Sequence, residues 1–147
     1  MRLPTEMLHQ QPLFSWLPEE GFKTFASCFD MEAEELPAGG SQESRGRIGY
    51  LLSGSLRLES GSSGDAGVIG PGTVFGILHA ADGHAQMEEV RLRAVSPCTV
   101  IWMNREIMTS VCYFDCWFHG RFITEMQRLL AAQQRDWEVS ERGTGSS

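Results

Sequence analysis

The side chains best suited to chemistry in this 147-residue chain are two cysteines and a histidine toward its C-terminal end. Cys112, Cys116 and His119 stand at i, i+4 and i+7. On one continuous helix they share a face, and two thiolates with an imidazole are a partial ligand set for zinc or a redox cluster. Asp115 reads as a helix cap, which places Cys112 outside that helix. Thiols are more often small buried fillers, and His119 beside Phe118 and Phe122 is more often a packing residue, so no metal is assigned to the three. Cys28 and Cys98 complete a four-cysteine set only if the fold brings them there. His79 and His84 follow a Pro71-Gly72-Thr73 turn, an order compatible with metal binding, but no paired His-x-His accompanies them. No Gly-x-Ser-x-Gly elbow occurs, and no Ser, His and acid stand at a meaningful spacing. The chain is therefore not expected to be an enzyme, and no cofactor is assigned to it.

Charge narrows the partners. The formal net charge is −7, and none of the twelve Lys and Arg residues form a dense stripe. Taken alone, such a chain does not grip a nucleic-acid backbone. No apolar run approaches the roughly 20 residues that cross a bilayer. The start, Met1-Arg2-Leu3-Pro4-Thr5-Glu6, lacks the apolar segment of a secretory signal. A cytoplasmic protein with reduced cysteines, no membrane contact and one core-bearing domain is the expectation.

The elements that would position these residues fall into two kinds. Residues 1–11 read as a leader, and Pro12 to Phe29 as a short helical region in which Leu13, Phe14, Leu17, Phe22, Phe25 and Phe29 recur at near-helical spacing. From about 30 to 103 the signals are short strands between Gly-rich turns. Leu56 and Leu58 alternate with Ser55, Arg57 and Glu59, and Val90, Leu92 and Ala94 alternate with Glu89, Arg91 and Arg93, while Val100 to Met103 is a continuous apolar strand. From 104 to 139 the period becomes helical. Asn104 caps a short helix to Val111, and Asp115 caps a longer one to Val139. Along the longer one Phe118, Phe122, Met126, Leu129, Gln133 and Trp137 form a stripe that Ile123 and Leu130 widen. One part of so wide a stripe can cover the domain while another meets a partner copy, which predicts a homodimer. Residues 140–147 are polar and Gly-rich, hence a flexible tail.

The order of motifs is more telling than any one of them. Pro12-Leu13-Phe14 with Leu17-Pro18-Glu19-Glu20, then Leu36-Pro37-Ala38-Gly39, Leu51-Leu52-Ser53-Gly54-Ser55-Leu56-Arg57-Leu58, Gly70-Pro71-Gly72 and Phe75-Gly76 follow one another. That succession closely resembles the sensor half of Crp/Fnr-type bacterial transcription regulators, which is a cyclic nucleotide-binding-like domain. Cys112-x3-Cys116-x-Phe118-His119-x-Arg121-Phe122-Ile123 followed by Leu129-Leu130-Ala131-Ala132 is similar to one branch of that group. The resemblance covers about residues 12–141 and implies a mainly β fold with flanking helices. Its expected form is a double-stranded β-helix, a jelly-roll or cupin-like β-roll, followed by a long dimerisation helix.

The resemblance also shows where this chain departs from its pattern. The family follows Phe-Gly with Glu and later supplies an Arg for the cyclic phosphate. Here Ile77 follows Phe75-Gly76, and counting back from Arg93-Ala94 puts Glu88 at the Arg position. A phosphate there loses its bidentate partner and meets a like charge. In the branch with the two cysteines that Arg is also missing, so the resemblance implies a branch trait. The expectation is an effector-sensing and dimerisation domain that does not answer to cyclic AMP through the usual site. An unidentified small-molecule effector would sit near Phe75, Gly76, Ile77, Leu78, His79 and Glu88, faced by Thr124, Gln127 and Arg128 of the long helix. DNA would be reached only through a helix-turn-helix module, which has no counterpart in this sequence, so the chain is expected to be either the sensor half of a longer regulator or a free-standing domain. The alternatives are a ligand-free scaffold that binds a protein partner and a small metal enzyme using His79 and His84.

Overall fold

The computed structural model describes residues 4–28, 30–60, 64–79, 85–108 and 120–133. Two short helices, α1 (Thr5–His9) and α2 (Glu19–Cys28), precede ten strands. The strands are β1 (Glu32–Leu36), β2 (Ser41–Glu43), β3 (Arg47–Ser53), β4 (Leu56–Ser60) and β5 (Gly64–Ile69), then β6 (Val74–Phe75), β7 (Ile77–His79), β8 (Ala85–Met87), β9 (Val90–Ala94) and β10 (Cys98–Asn104). A 3-10 turn, Arg105–Met108, and a helix over 120–133, here α3, complete the described chain. The fold is mainly β, with two antiparallel sheets and a C-terminal helix.

One sheet runs in the order β1-β10-β3-β6 and the other in the order β2-β9-β4-β5, with β7 and β8 paired as a separate hairpin. Strand chemistry explains which sheet is covered. In β9 the burial alternates strictly, with Val90, Leu92 and Ala94 buried and Arg91 and Arg93 exposed. Such alternation belongs to a strand with one wet face. Leu56 and Leu58 of β4 behave in the same way. In β3, by contrast, Ile48, Gly49, Tyr50, Leu51 and Leu52 are all buried, because that strand has a packed layer on each side.

The two layers are distinct. Between the sheets lie Leu36, Leu51, Leu56, Leu58, Ile69, Phe75, Val90, Leu92, Ala94, Cys98, Val100 and Trp102. On the other face of the first sheet, Ile48, Tyr50, Leu52, Val74, Ile101 and Met103 pack against Leu8, Phe14, Leu17, Phe22, Phe122, Met126 and Leu130 from the helical parts. The ring centroids of Phe14 and Phe122 are 5.9 Å apart, and the Arg121 guanidinium lies 4.9 Å from the Trp16 ring, so the N-terminal segment and α3 hold each other on the roll. Asn104 caps the turn that leaves β10, its Oδ1 accepting the Glu106 N–H at 2.9 Å. The expected helix to Val111 is seen as the 3-10 turn to Met108, and its remainder lies outside the described residues.

Two glycines make the roll possible. Gly76 has φ +83°, and a Cβ there would meet the Arg47 carbonyl oxygen at 2.5 Å, so the step from β6 into β7 admits no side chain. Gly49 lies directly beneath the ring of Phe75, which occupies the space where a Cβ would stand. That ring also meets Trp102 edge to face, with centroids 5.6 Å apart at 86°. Replacing Gly49 with Ala should therefore destabilise the domain by about 1–3 kcal/mol, the usual range for overpacking a filled core. Urea denaturation measures this, and an unchanged midpoint would show that the ring has room to withdraw.

Candidate functional site

The end of the roll where the family resemblance expects a phosphate is occupied by the chain's own acids. Glu88 is half-buried, and its N–H donates to the Gly76 carbonyl at 3.0 Å, which ties the residue to the glycine turn. Glu89 reaches the tight turn between β2 and β3. Its carboxylate accepts the N–H of Arg45 and, at 2.9 Å, the N–H of Gly46. That turn offers its donors because Arg45 (φ 52°) and Gly46 (φ 72°) are both left-handed, which points successive N–H groups to one side. Burial pushes the Glu89 carboxyl upward, but the two backbone N–H groups, the Ser44 hydroxyl and the charge of Arg47 outweigh it and hold the group below its ordinary value.

Ser44 fixes this turn from inside. It is fully buried, its Oγ accepts the Val90 N–H at 3.0 Å, and its own N–H donates to the Val90 carbonyl at 2.9 Å. Arg47 closes the turn by donating from Nε to the Ser44 carbonyl at 3.1 Å and from Nη2 to the Glu43 carbonyl at 3.3 Å. Its guanidinium then lies 4.1 Å from the ring of Trp102, a cation over an aromatic face. The indole N–H of Trp102 donates to Glu34 Oε1 at 2.9 Å, and the Gln42 amide donates to the other Glu34 oxygen at 3.0 Å. Ser44 and Trp102 find their partners far along the chain, at Val90 and Glu34, while Arg47 and Gln42 find theirs within eight residues.

Where the structure describes their side chains, the positions expected to surround an effector fall in different layers. Phe75 fills the space between the sheets, whereas Ile77 belongs to the layer under the helices, since Gly76 turns the chain between them. Leu78 and His79 pair through their backbones with Gln86 and Ala85 of β8. Thr124, Gln127 and Arg128 are exposed on α3, with Thr124 Oγ1 donating to the Gly120 carbonyl at 3.2 Å and Arg128 3.4 Å from Glu125. They do not face Phe75 or Ile77, because α3 turns Phe122, Met126 and Leu130 to the roll instead.

Where it is described, the stripe expected to meet a second copy packs largely against the chain's own roll. Phe122 and Met126 are fully buried against the chain's own sheet, and Leu129 is packed beside them. Gln133 clamps the edge strand β6, its Oε1 accepting the Val74 N–H at 2.9 Å and its Nε2 donating to the Val74 carbonyl at 3.1 Å. In effect the amide pairs as one more backbone unit would. Phe118 and Trp137 lie outside the described residues, as do His84, Cys112, Cys116 and His119. Among the described residues no three His, Cys, Asp or Glu side chains group as a metal site. Cys98 is buried, and its Sγ lies 3.1 Å from both the Ser55 and the Ser96 carbonyl, donating where the thiol proton allows. Burial pushes that thiol up, which disfavours the thiolate.

A cleft of about 450 Å³ lies where the N-terminal segment, the roll and α3 meet, lined by Gln11, Pro12, Leu13, Tyr50, Pro71, Gly72, Glu125, Arg128 and Leu129. Of the expected pocket residues Arg128 borders it. Tyr50 stands in its wall, with its hydroxyl donating to Gln11 Oε1 at 2.6 Å and its pKa pushed up to about 12 by burial. No helix among the described residues is long and apolar enough to cross a membrane.

No family model matches the chain. No curated protein matches it either. Among solved structures it is similar to a protein from Geobacter metallireducens GS-15 assigned as cyclic nucleotide-binding, with TM-score 0.59 and 21% identity over 90% of this chain and 98% of that one. It is similar also to the regulatory subunit of a cAMP-independent protein kinase A from Trypanosoma brucei (TM-score 0.57, 20% identity, 95% of this chain and 50% of that). A third is the Catabolite Activator Protein of Thermus thermophilus (TM-score 0.53, 20% identity, 92% of this chain), of which this chain spans 63%. These likenesses show the fold, that of a cyclic nucleotide-binding domain.

Because the folded state holds Glu89 below its ordinary pKa, the stability it contributes is present above about pH 4.5 and is lost as pH falls through the lower folded value. Glu89→Gln should therefore be less stable than the parent at pH 7, with the gap closing toward pH 3. Denaturant titrations at the two pH values test this, and a gap that does not change with pH would deny the carboxylate its role in the turn.

Proposed function

We propose that this chain is the effector-sensing and dimerisation domain of a Crp/Fnr-like transcription regulator, and that it does not respond to cyclic AMP through the usual site. The observation that carries the reading is the pairing of an intact roll with a changed ligand end. The fold is that of cyclic nucleotide-binding domains, yet by its spacing from Arg93-Ala94 Glu88 falls where the resemblance expects the phosphate Arg, and Phe75 and Trp102 pack in the space between the sheets. A cyclic phosphate brought there would meet carboxylate instead of guanidinium, a loss of about 2–5 kcal/mol, or one to three decades in affinity. The name of the Trypanosoma kinase subunit supports the idea that a domain of this fold can serve regulation without cyclic AMP.

The effector instead enters the cleft between the N-terminal segment, the roll and α3. Its volume suits a small metabolite, its walls are apolar at Leu13, Pro12 and Leu129, and Arg128 and Glu125 border it. A ligand seated there touches all three parts that hold α3 on the roll. Through different affinity for two arrangements of α3 it shifts their balance, and Gln133 carries the shift to β6 or from it. Dimerisation uses the part of α3 that the roll leaves uncovered, where Ile123 is half-exposed, and DNA is contacted by a helix-turn-helix module joined beyond α3.

Thermal unfolding with cyclic AMP, cyclic GMP and a panel of small metabolites tests this reading. A ligand at 100 times its dissociation constant adds about 2.7 kcal/mol, which raises the midpoint by several degrees. Neither cyclic nucleotide should do so, and a stabilising metabolite should lose its effect in Arg128→Ala. A saturable shift by cyclic AMP, or a hit indifferent to Arg128, would contradict the proposal.

A further inference from the structure

A second cleft, of about 380 Å³, opens where β1 is entered, β3 begins and β10 ends, and its walls are Asp30, Arg45, Gly46, Arg47, Asn104 and Arg105. Three of these six residues are arginines, in a chain whose formal net charge is −7. The topology forces them together. Arg47 and Asn104 are register partners on β3 and β10, so Arg45 precedes one member of the pair and Arg105 follows the other.

Three carboxylates of the neighbouring strands have other hydrogen-bond or ion-pair partners. Glu43 lies 3.5 Å from Arg91, Glu34 accepts from Trp102 and Gln42, and Glu89 accepts the backbone N–H groups of Arg45 and Gly46, its charge reaching Arg47 alone of the three arginines. Arg45 and Arg105 are exposed, and neither guanidinium has an ion-pair partner among the described residues. Arg47 is held by the Ser44 and Glu43 carbonyls and by the Trp102 ring, which uses Nε and Nη2 and leaves Nη1 with no partner among the described residues. Asn104 spends its Oδ1 on the Glu106 N–H, which leaves its amide NH₂ as a donor. The cleft therefore offers many donors, one carboxylate at Asp30, and no large apolar side chain.

That balance selects its ligand. Guanidinium forks match the oxygens of phosphate and carboxylate, and three of them exceed what a carboxylate with two oxygens can use. A bare anion would be repelled by Asp30, whereas a hydroxyl beside the phosphate can donate to it. The geometry points to a binding site for a small hydroxyl-bearing phosphate monoester, with the phosphate on Arg45, Arg47 and Arg105 and the hydroxyl on Asp30 and Asn104. This site is separate from the space between the sheets and from the effector cleft, and it does not rest on the regulator reading.

Calorimetric titration of the full chain with ribose 5-phosphate, inorganic phosphate and ribose, at fixed ionic strength, tests the site. Ribose 5-phosphate should bind saturably at one site, tighter than inorganic phosphate, while ribose should give no signal. Arg45→Ala and Arg105→Ala should each weaken binding about tenfold or more with an unchanged thermal midpoint, since both side chains are exposed. Asp30→Asn suits the left-handed backbone at that position (φ 50°) and should erase the preference for ribose 5-phosphate over inorganic phosphate. Arg93→Ala, on the solvent face of the other sheet, should change nothing. Absence of saturable binding, binding that survives the two arginine substitutions, or an equal loss in Arg93→Ala would each overturn the proposal.

Discussion

Phe75 can lie across β3 only because residue 49 has no side chain, and the rest of the molecule is arranged around that contact. The ring closes one end of the space between the sheets, meets Trp102 edge to face, and brings the next residue, Gly76, against the carbonyl of Arg47. From there the chain must turn, so Ile77 passes to the opposite layer and Glu88 is tied back to the same glycine. A filled roll follows, and with it a ligand end whose polar groups are answered from within the chain.

Trp102 ties that core to the surface. Its ring is apolar filling between the sheets on one side and a platform for Arg47 on the other, and its indole N–H is met by Glu34. Burying so large a side chain is favourable only when its single donor is satisfied. Glu34, Gln42 and Arg47 thus act together as the condition for the core. The same tie fixes Arg47 beside Arg45 and Arg105, so the basic cleft is a consequence of how the roll is closed.

Much of this was legible in the sequence where the signal is local. Alternation in 56–59 and 90–94 gives the one-sided strands, the apolar run at 100–103 gives a strand covered on both faces, and Asn104 marks the cap. The order of glycines and prolines pointed to the fold as a whole. What periodicity does not show is which side of a wide helical stripe meets what. Met126 and Phe122 suit a partner helix and a roll equally well as types, and only the tertiary arrangement turns them inward. Gln133 carries no sequence signal for clamping Val74, 59 residues away, and the contact of Trp102 with Glu34 spans 68 residues. Glu89 is one more outward position of an alternating strand until the left-handed turn at Arg45 and Gly46 presents its donors to it.

The central claim is that the chain's own Glu89 carboxylate, and no cyclic nucleotide, satisfies the backbone N–H groups of the turn between β2 and β3. Amide hydrogen exchange at Arg45 and Gly46, with and without saturating cyclic AMP, tests it most directly. These two amides should exchange more slowly than a solvated turn, lose that protection in Glu89→Ala, and be indifferent to the nucleotide. Exchange at the rate of an open turn, or protection that rises when cyclic AMP is added, would contradict the account.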